Sequence, residues 1–127
     1  MHKREKKKIL AVVDDLLFTV KISDAAKRVG LDVEFLKSAK DVVDKANQEK
    51  PLLIILDLNN NSVEPLDLIA KLKGDGDLKR ISLIGYLSHV QGELKQKAHE
   101  AGANIVMARS AFSQNLQQIL KRHAGVI

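Results

Sequence analysis

The 127-residue sequence contains no cysteine, and it has no long apolar run. Disulfide bridges, thiol chemistry and cysteine-based zinc sites are therefore excluded, and nothing indicates an oxidising compartment. No segment approaches the roughly 18 consecutive apolar residues that a membrane-spanning helix needs, and no continuous apolar segment follows the basic N-terminus as in a signal peptide. We therefore expect a cytoplasmic protein with neither a signal peptide nor a membrane anchor.

Aromatic side chains are also scarce, since the sequence has one tyrosine, three phenylalanines and no tryptophan. Its net charge is +5, but residues 2–8 hold five basic residues and one acidic residue, and the rest of the chain is nearly neutral. We interpret residues 1–8 as a solvated basic lead. A nucleic-acid-binding domain spreads its basic residues over one face and often adds aromatic residues for stacking. No nucleic-acid partner is therefore expected.

The length and composition fit one globular domain, with 45% hydrophobic and 29% charged residues. Short apolar runs predict strands at residues 9–13, 32–36, 52–56, 81–87 and 104–108. A helical pattern follows each strand. In the first helix, the residues predicted to share one face are Leu17, Val20, Ile22, Ala25 and Val29. Five such pairs in residues 9–127 predict an α/β fold, a doubly wound parallel sheet with right-handed crossovers and helices on both faces.

Local signals mark several helix ends. Gly30 suits the left-handed turn after the first helix, and Ser38 resembles the start of the second. Pro65 lies where the first turn of the third helix is predicted, and Gly102 follows a fourth helix predicted at residues 91–101. These signals support the predicted alternation of strands and helices.

Acidic residues follow two of the predicted strands. Asp14 and Asp15 come directly after the first strand, and Asp57 follows the third. Open sheets bind ligands beyond the carboxyl ends of their strands where the strand order reverses, which for the order 2-1-3-4-5 lies between the first and third strands. Carboxylates that meet there repel each other unless a cation such as Mg²⁺ neutralises them or one of the acids stays protonated. A carboxylate beside such an ion can form an aspartyl phosphate. The alternative is that each acid merely ends a strand and faces water.

Residues 12–15 (VVDD), 53–58 (LIILDL) and 101–103 (AGA), placed in five strand–helix units over nearly the whole chain, resemble the CheY-like receiver domain of two-component response regulators. The resemblance implies the flavodoxin-like strand order 2-1-3-4-5. It also implies that Asp57 accepts a phosphoryl group from a histidine kinase or a phosphotransfer protein. For Mg²⁺ it implies Asp15 as a direct ligand, Asp14 as a ligand through water, and further ligands from Asp57 and the main-chain carbonyl of Asn59.

The sequence departs from the family pattern at several positions. Leu87 stands where the family has Thr or Ser, and Ser88 is a hydroxyl candidate only if the strand end shifts, which reverses the facing of strand side chains. The family's lysine and following proline correspond to Arg109 and Ser110, so a cis bond is not expected there. Arg109 is a candidate phosphate contact, although arginine is longer and planar. The family's switching aromatic residue corresponds to Val106.

These departures leave two functions open. The chain is either a receiver that is phosphorylated on Asp57, or a degenerate pseudo-receiver that acts as a phosphorylation-independent docking module. In both cases a downstream protein partner is expected on the face formed by the fourth strand, fourth helix, fifth strand and last helix. Val106, Met107 and Phe112 lie in these elements, although at least two of them are expected in the core.

Arg109 and His89 are predicted to lie near Asp57, at the ends of the fifth and fourth strands. Arg109 is interpreted either as an anion clamp over Asp57 or as its ion-pair partner, and His89 as an ordinary exposed or capping residue.

A dehalogenase-type phosphatase needs a second acid two residues after Asp57, where this chain has Asn59. Glycine loops that cradle nucleotides are absent as well. We therefore do not expect an enzyme that acts on a separate substrate.

Overall fold

The computed structural model describes residues 7–60, 62–88 and 92–124. Strands and helices alternate along the chain, and the predicted doubly wound α/β fold is confirmed. The ten elements are β1 (Lys8–Val12), α1 (Leu16–Arg28), β2 (Asp32–Phe35), α2 (Ala39–Glu49), β3 (Leu53–Asp57), α3 (Pro65–Gly74), β4 (Ser82–Leu87), α4 (Gly92–Ala101), β5 (Ile105–Ala108) and α5 (Arg109–Ala124). Within these ranges, no helix is long and apolar enough to cross a membrane.

The five strands form one parallel sheet in the order β2-β1-β3-β4-β5. The strand order implied by the family resemblance is therefore confirmed. β1 and β3 are neighbours, and their register places Val12 beside Leu56. Consequently the residues that follow β1 and the last residue of β3 meet at the same edge of the sheet.

The sheet begins slightly earlier than the sequence predicts. Lys8, which we assigned to the basic lead, is the first residue of β1, and its ammonium group lies 3.1 Å from Glu34 and 2.6 Å from Glu49. Hydrogen bonds to these two carboxylates raise the pKa of Lys8. The main-chain carbonyl of Lys7 accepts a hydrogen bond from Asp32. Lys8 thus belongs to the sheet and Lys7 is hydrogen-bonded to β2, while residues 1–6 lie outside the described part of the chain.

Two apolar cores cover the two faces of the sheet. The first packs beneath α2, α3 and α4 and includes Leu10, Val12, Ile54, Leu56, Leu83 and Leu87. The second packs beneath α1 and α5 and includes Ile9, Ala11, Ile55, Ile84, Tyr86 and Phe112. Neighbouring residues of one strand thus enter opposite cores, because side chains alternate along a strand. Continuous apolar runs are typical of strands that are buried on both faces.

The predicted buried face of α1 is wrong in its first turns. Leu17 and Val20 are 59% and 58% exposed, while Phe18 and Ile22 pack against the sheet. The spacing of Phe18, Ile22 and Ala25 also matches one helix face, and the sequence carries apolar residues on both candidate faces. Tertiary packing selects the face that places the Phe18 ring against other aromatic rings.

The predicted helix-end signals agree with the structure. The Ser38 hydroxyl accepts a hydrogen bond from the Asp41 N–H group at 3.1 Å and caps α2. Gly30 and Gly102 have φ values of +77° and +120°, which L side chains rarely adopt, and Pro65 lies in the first turn of α3. Gln91, where we predicted the start of the fourth helix, lies outside the described residues, and α4 begins at Gly92.

Gly85 in β4 permits the close packing of Leu58, the residue after Asp57. A Cβ atom at Gly85 would lie 3.0–3.1 Å from three side-chain atoms of Leu58, which is only 4% exposed. Leu58 therefore has little room to move away, and overpacking of a core is destabilising. Gly85 thus serves close packing and not an unusual backbone conformation, since its φ is not positive.

We expect Gly85→Ala to lower the free energy of unfolding by about 1–3 kcal/mol, the usual cost of overpacking a core. Gly74→Ala is the matched control, because a Cβ atom there would meet no atom within 4 Å. It should leave stability unchanged or raise it by up to about 1 kcal/mol. Urea unfolding followed by circular dichroism measures both variants, and equal stabilities would contradict the proposed contact with Leu58.

Candidate functional site

The carboxyl ends of β1 and β3 bring the predicted acidic residues together. Asp57 is the last residue of β3, and Asp14 and Asp15 lie in the loop between β1 and α1. Asp57 is 6% exposed, whereas Asp14 is exposed and Asp15 is half-buried. The three carboxylates therefore share one edge of the sheet but have different surroundings.

Burial raises the pKa of the Asp57 carboxyl, and the negative charge of Asp14 raises it further. The N–H group of Asn59 opposes this shift, because it donates a hydrogen bond of 2.9 Å to Asp57 Oδ1. Burial outweighs the hydrogen bond, so the net shift is upward. Asp57 is thus a buried carboxylate, and keeping it charged lowers the stability of the folded protein.

Asn59 connects the loop after Asp57 with the end of β4. Its side-chain oxygen accepts hydrogen bonds from the Ser88 N–H group at 2.7 Å and from the Ser88 hydroxyl at 3.0 Å. Leu87 enters the core beneath α3 and α4 and supplies no donor, as predicted. Ser88 lies one residue beyond β4, where strand alternation no longer determines side-chain direction, and its hydroxyl lies beside the Asp57 loop. His89, also named from the sequence, is outside the described residues.

Asn60 is a buried member of this loop that the sequence analysis missed. It is 4% exposed, and its N–H group donates to the main-chain carbonyl of Asp57 at 3.1 Å. Its side-chain oxygen accepts a hydrogen bond from the Ser62 N–H group at 2.9 Å, which is the pattern of an Asx turn. The asparagine run at this point was the available signal, because asparagine side chains stabilise such turns.

Both carboxylate oxygens of Asp15 have partners. Oδ1 accepts a hydrogen bond from the Leu17 N–H group at 2.8 Å, so Asp15 caps the start of α1. Oδ2 forms an ion pair with the guanidinium group of Arg109, the first residue of α5. The sequence interpretation places Arg109 on Asp57, as a clamp or an ion-pair partner. The structure instead pairs it with Asp15.

We call the edge of the sheet that carries Asp14, Asp15 and Asp57 the acidic edge. Arg109 also covers an aromatic cluster beneath it. Its guanidinium carbon lies 4.6 Å from the centre of the Phe18 ring, within range of a cation–π interaction. The Phe18 and Tyr86 ring centres are 4.9 Å apart, and those of Tyr86 and Phe112 are 4.8 Å apart. Three of the four aromatic residues of the chain therefore pack at this end of the sheet, which sequence spacing did not reveal.

Tyr86 carries a polar atom into this cluster. Tyr86 pairs with Asp57 in the sheet register, and its hydroxyl group has no hydrogen-bond partner in the described part of the chain. Burial raises the pKa of this hydroxyl, and the negative charge of Asp57 raises it further. The hydroxyl therefore remains protonated and buried near the acidic edge.

The donor atoms at this edge suit a hard divalent cation only in part. The carboxylates of Asp14 and Asp57 and the main-chain carbonyl of Asn59 are oxygen ligands of the kind that Mg²⁺ prefers. Asp15 could coordinate the same cation only after its carboxylate had left Arg109. Over residues 7–60, 62–88 and 92–124, no group of three His, Cys, Asp or Glu side chains is placed to hold a metal ion.

The expected docking face gains little exposed apolar surface from the three residues considered there. Phe112 is fully buried and Val106 is 6% exposed, so at least two of the three apolar residues considered there belong to the core, as expected. Met107 is half-buried. The large apolar residues that are most exposed lie instead at the start of α1, where Leu16 is 78% exposed.

Asp57→Asn should raise the free energy of unfolding at pH 7 by about 0.5–2 kcal/mol, within the usual range for single substitutions. The pKa of Asp57 is raised above its ordinary value of 3.8, so the folded state binds this proton more readily than the unfolded state. Lowering the pH from 7 through the raised pKa therefore stabilises the wild type relative to the variant. The difference between them should shrink as the pH falls through the raised pKa and be lost below 3.8, the ordinary value.

Urea unfolding at several pH values tests this expectation. Asp77→Asn is the matched control, because Asp77 is an exposed carboxylate in the segment between α3 and β4. It should change stability by less than about 0.5 kcal/mol, as surface substitutions usually do. A stability difference between wild type and Asp57→Asn that stays constant from pH 7 to pH 4 would contradict the burial argument.

No protein-family model matches the chain, and no curated protein matches it either. Solved structures do match it over nearly its full length. The phosphorylated phytochrome response regulator RcpA of a cyanobacterium has 25% sequence identity and a TM-score of 0.77, with 93% of this chain and 91% of that chain covered. A putative response regulator of Chloroflexus aurantiacus has 18% identity and a TM-score of 0.82, with 95% and 99% covered.

A third structure is the receiver domain of a sensor histidine kinase of Pseudomonas aeruginosa, solved with a magnesium ion coordinated in its active-site cleft. It has 20% sequence identity and a TM-score of 0.79, and the alignment covers 95% of this chain and 99% of that chain. These structures share the alternation, strand order and length described above. The chain therefore has the fold of a response regulator receiver domain, as its sequence resemblance implied.

Proposed function

We propose that this chain is a receiver of two-component signalling that accepts a phosphoryl group on Asp57. The observation that carries the proposal is the buried Asp57 carboxylate, 6% exposed at the end of β3 and held by the Asn59 N–H group. It lies beside β1, where the strand order of the sheet reverses. The phosphorylated cyanobacterial regulator, which shares this fold, supports the assignment.

The transfer uses one carboxylate oxygen of Asp57 as the nucleophile. Oδ1 already accepts the Asn59 hydrogen bond, so Oδ2 is the oxygen that we expect to attack. A bond forms between this oxygen and phosphorus, and the bond from phosphorus to the donor's histidine nitrogen breaks. The electron pair of the broken bond remains on that nitrogen. Asn59 holds the carboxylate in place during this exchange.

Mg²⁺ would be held by Asp57, by Asp14 through water, by the Asn59 main-chain carbonyl and by Asp15 once that carboxylate has left Arg109. The magnesium ion bound by the Pseudomonas receiver domain supports this assignment. When bound, the ion supplies positive charge that stabilises the transferring phosphoryl group. Among the chain's own groups, the Ser88 hydroxyl is the candidate donor to a phosphoryl oxygen and Arg109 the candidate cation.

The phosphoryl donor that we propose is a histidine kinase or a phosphotransfer protein. Such a donor must bring its histidine to Asp57, so a contact surface has to border the acidic edge. The first turns of α1 provide exposed apolar side chains there, namely Leu16, Leu17 and Val20. A downstream protein partner would bind the face formed by β4, α4, β5 and α5. The chain then acts as a signalling protein and not as an enzyme with a separate substrate.

A second function is favoured by a specific contact. Arg109 neutralises Asp15, and both Asp15 oxygens are engaged, so the acidic edge has an internal cation of its own. A chain that uses this cation permanently would not need a metal ion. It would then be a phosphorylation-independent protein-binding module with the receiver fold.

Incubation with acetyl phosphate and Mg²⁺ should add one phosphoryl group to the wild-type protein, measured as intact mass. Asp57→Asn and a sample with excess chelator should gain none, because the acceptor oxygen or the required cation is missing. Asp77→Asn, the exposed control, should gain the group like the wild type. A wild-type protein that gains no phosphoryl group, or an Asp57→Asn variant that gains one, would overturn the assignment of Asp57.

Arg109→Ala should strengthen Mg²⁺ binding about fivefold to tenfold, measured by calorimetric titration without a phosphoryl donor. The substitution frees Asp15 Oδ2 and removes a positive charge that opposes the metal ion. Arg28→Ala is the matched control, since it also removes an arginine from an ion pair, here an exposed pair with Asp24 on α1. Absence of Mg²⁺ binding in wild type and Arg109→Ala alike would favour the metal-independent docking module.

A further inference from the structure

A shallow cavity of about 560 Å³, open to solvent, lies between α1 and α5 beside the acidic edge. Phe18 and Lys21 line it from α1, and Arg109, Ser110 and Ser113 line it from α5. Ser88 lies at the border between the cavity and the Asp57 loop. The carboxylates of Asp14 and Asp57 do not line the cavity, which shares Ser88 and Arg109 with the proposed phosphoryl site but extends beyond it to Lys21 and Ser113.

Two positive charges meet in this cavity. The Lys21 ammonium nitrogen lies 5.6 Å from the centre of the Phe18 ring, and the Arg109 guanidinium carbon lies 4.6 Å from the same centre. Arg109 is paired with Asp15, but no carboxylate of the described residues forms an ion pair with Lys21. The side chains that line the cavity therefore carry uncompensated positive charge.

Hydrogen-bond donors converge with these charges. Lys21 donates a hydrogen bond of 2.9 Å to the Ser113 hydroxyl, which ties α1 to α5 across the cavity. An ammonium group has three N–H bonds, so Lys21 retains donors for a ligand. The Ser110 hydroxyl is a further donor for an anionic ligand. The N-terminal end of the 16-residue helix α5 also favours an anion, because helix N-termini attract negative charge.

We propose that this cavity binds a small phosphate monoester. Its volume lies within the range of small-molecule pockets, which is roughly 300–1,000 Å³, and exceeds the space that a bare phosphate ion fills. Lys21, with Arg109 and the two serine hydroxyls, binds the phosphate group through charge-assisted hydrogen bonds. The organic part of the ligand packs against the side chains of Lys21 and Arg109 that cover Phe18, a ring that is itself 5% exposed. The inference does not depend on phosphorylation of Asp57.

Titration of the isotope-labelled wild-type protein with inorganic phosphate and with phenyl phosphate, followed by NMR, tests this site. Both probes should shift the amide signals of Ser110 and Ser113, with dissociation constants on the order of 1 mM or below for phenyl phosphate. Phenyl phosphate should bind more tightly than inorganic phosphate, because its ring adds apolar contact beside Phe18. Mg²⁺ is omitted, so that the acidic edge does not attract the probes.

Three variants locate the anion. Lys21→Met should weaken phenyl phosphate binding about tenfold, the usual scale of one charge-assisted hydrogen bond. Lys27→Met removes an exposed lysine of the same helix and should change the affinity less than about twofold, because screened surface charges contribute little. Asp57→Asn should bind the probe like the wild type, since Asp57 does not line the cavity.

Several outcomes would overturn the proposal. Equal weakening in Lys21→Met and Lys27→Met would indicate non-specific attraction to the basic surface. A clear gain of affinity in Asp57→Asn would place the anion at the acidic edge, because the variant removes a carboxylate that repels it there. Wild-type shifts that do not saturate by about 10 mM would indicate no site. Ser113→Ala, which keeps both cations, should weaken phenyl phosphate binding relative to the wild type, and unchanged affinity would contradict the site. It provides a second measurement if Lys21→Met does not fold.

Discussion

The carboxylate of Asp15 links the two helices at the acidic edge. One oxygen caps α1 through the Leu17 N–H group, and the other holds Arg109 at the start of α5. Arg109 in turn lies over the ring of Phe18, which stacks on Tyr86. A single side chain thus joins a helix start, a cation–π contact and an aromatic core. The acidic edge contacts Arg109 through Asp15, and the neighbouring cavity is lined by Arg109 and Phe18.

The same contact divides the three acids into different roles. The positive charge of Arg109 neutralises Asp15 and does not pair with Asp57. Burial and the negative charge of Asp14 raise the pKa of Asp57. Burial of a charged carboxylate reduces stability, and proteins commonly retain such groups where chemistry requires them. The cost at Asp57 is therefore an argument for function, whereas Asp15 is already explained by its structural contacts.

The alternation of strands and helices could be predicted from sequence because apolar runs and helical spacing are local patterns. The edge position of Asp57 followed from the same patterns, since it ends a continuous apolar run. Other features depend on distant contacts. Apolar residues on two sides of α1 left its buried face undetermined, and only packing against Tyr86 selects Phe18 over Leu17. The partner of Arg109 is Asp15, 94 positions earlier, and no local pattern predicts such a pair.

Ser88 shows how a receiver fold can keep a hydroxyl beside Asp57 without the usual residue. Strand alternation sends Leu87 into the core, but β4 ends there, so the direction of Ser88 is set by its hydrogen bonds to Asn59. Asn59 also donates its N–H group to Asp57. One residue therefore links the buried carboxylate to the start of the segment that leads to α4. A change in charge or size at Asp57 that displaces Asn59 must also alter the two hydrogen bonds of Ser88, which gives the site a direct physical route to the β4 end of the sheet.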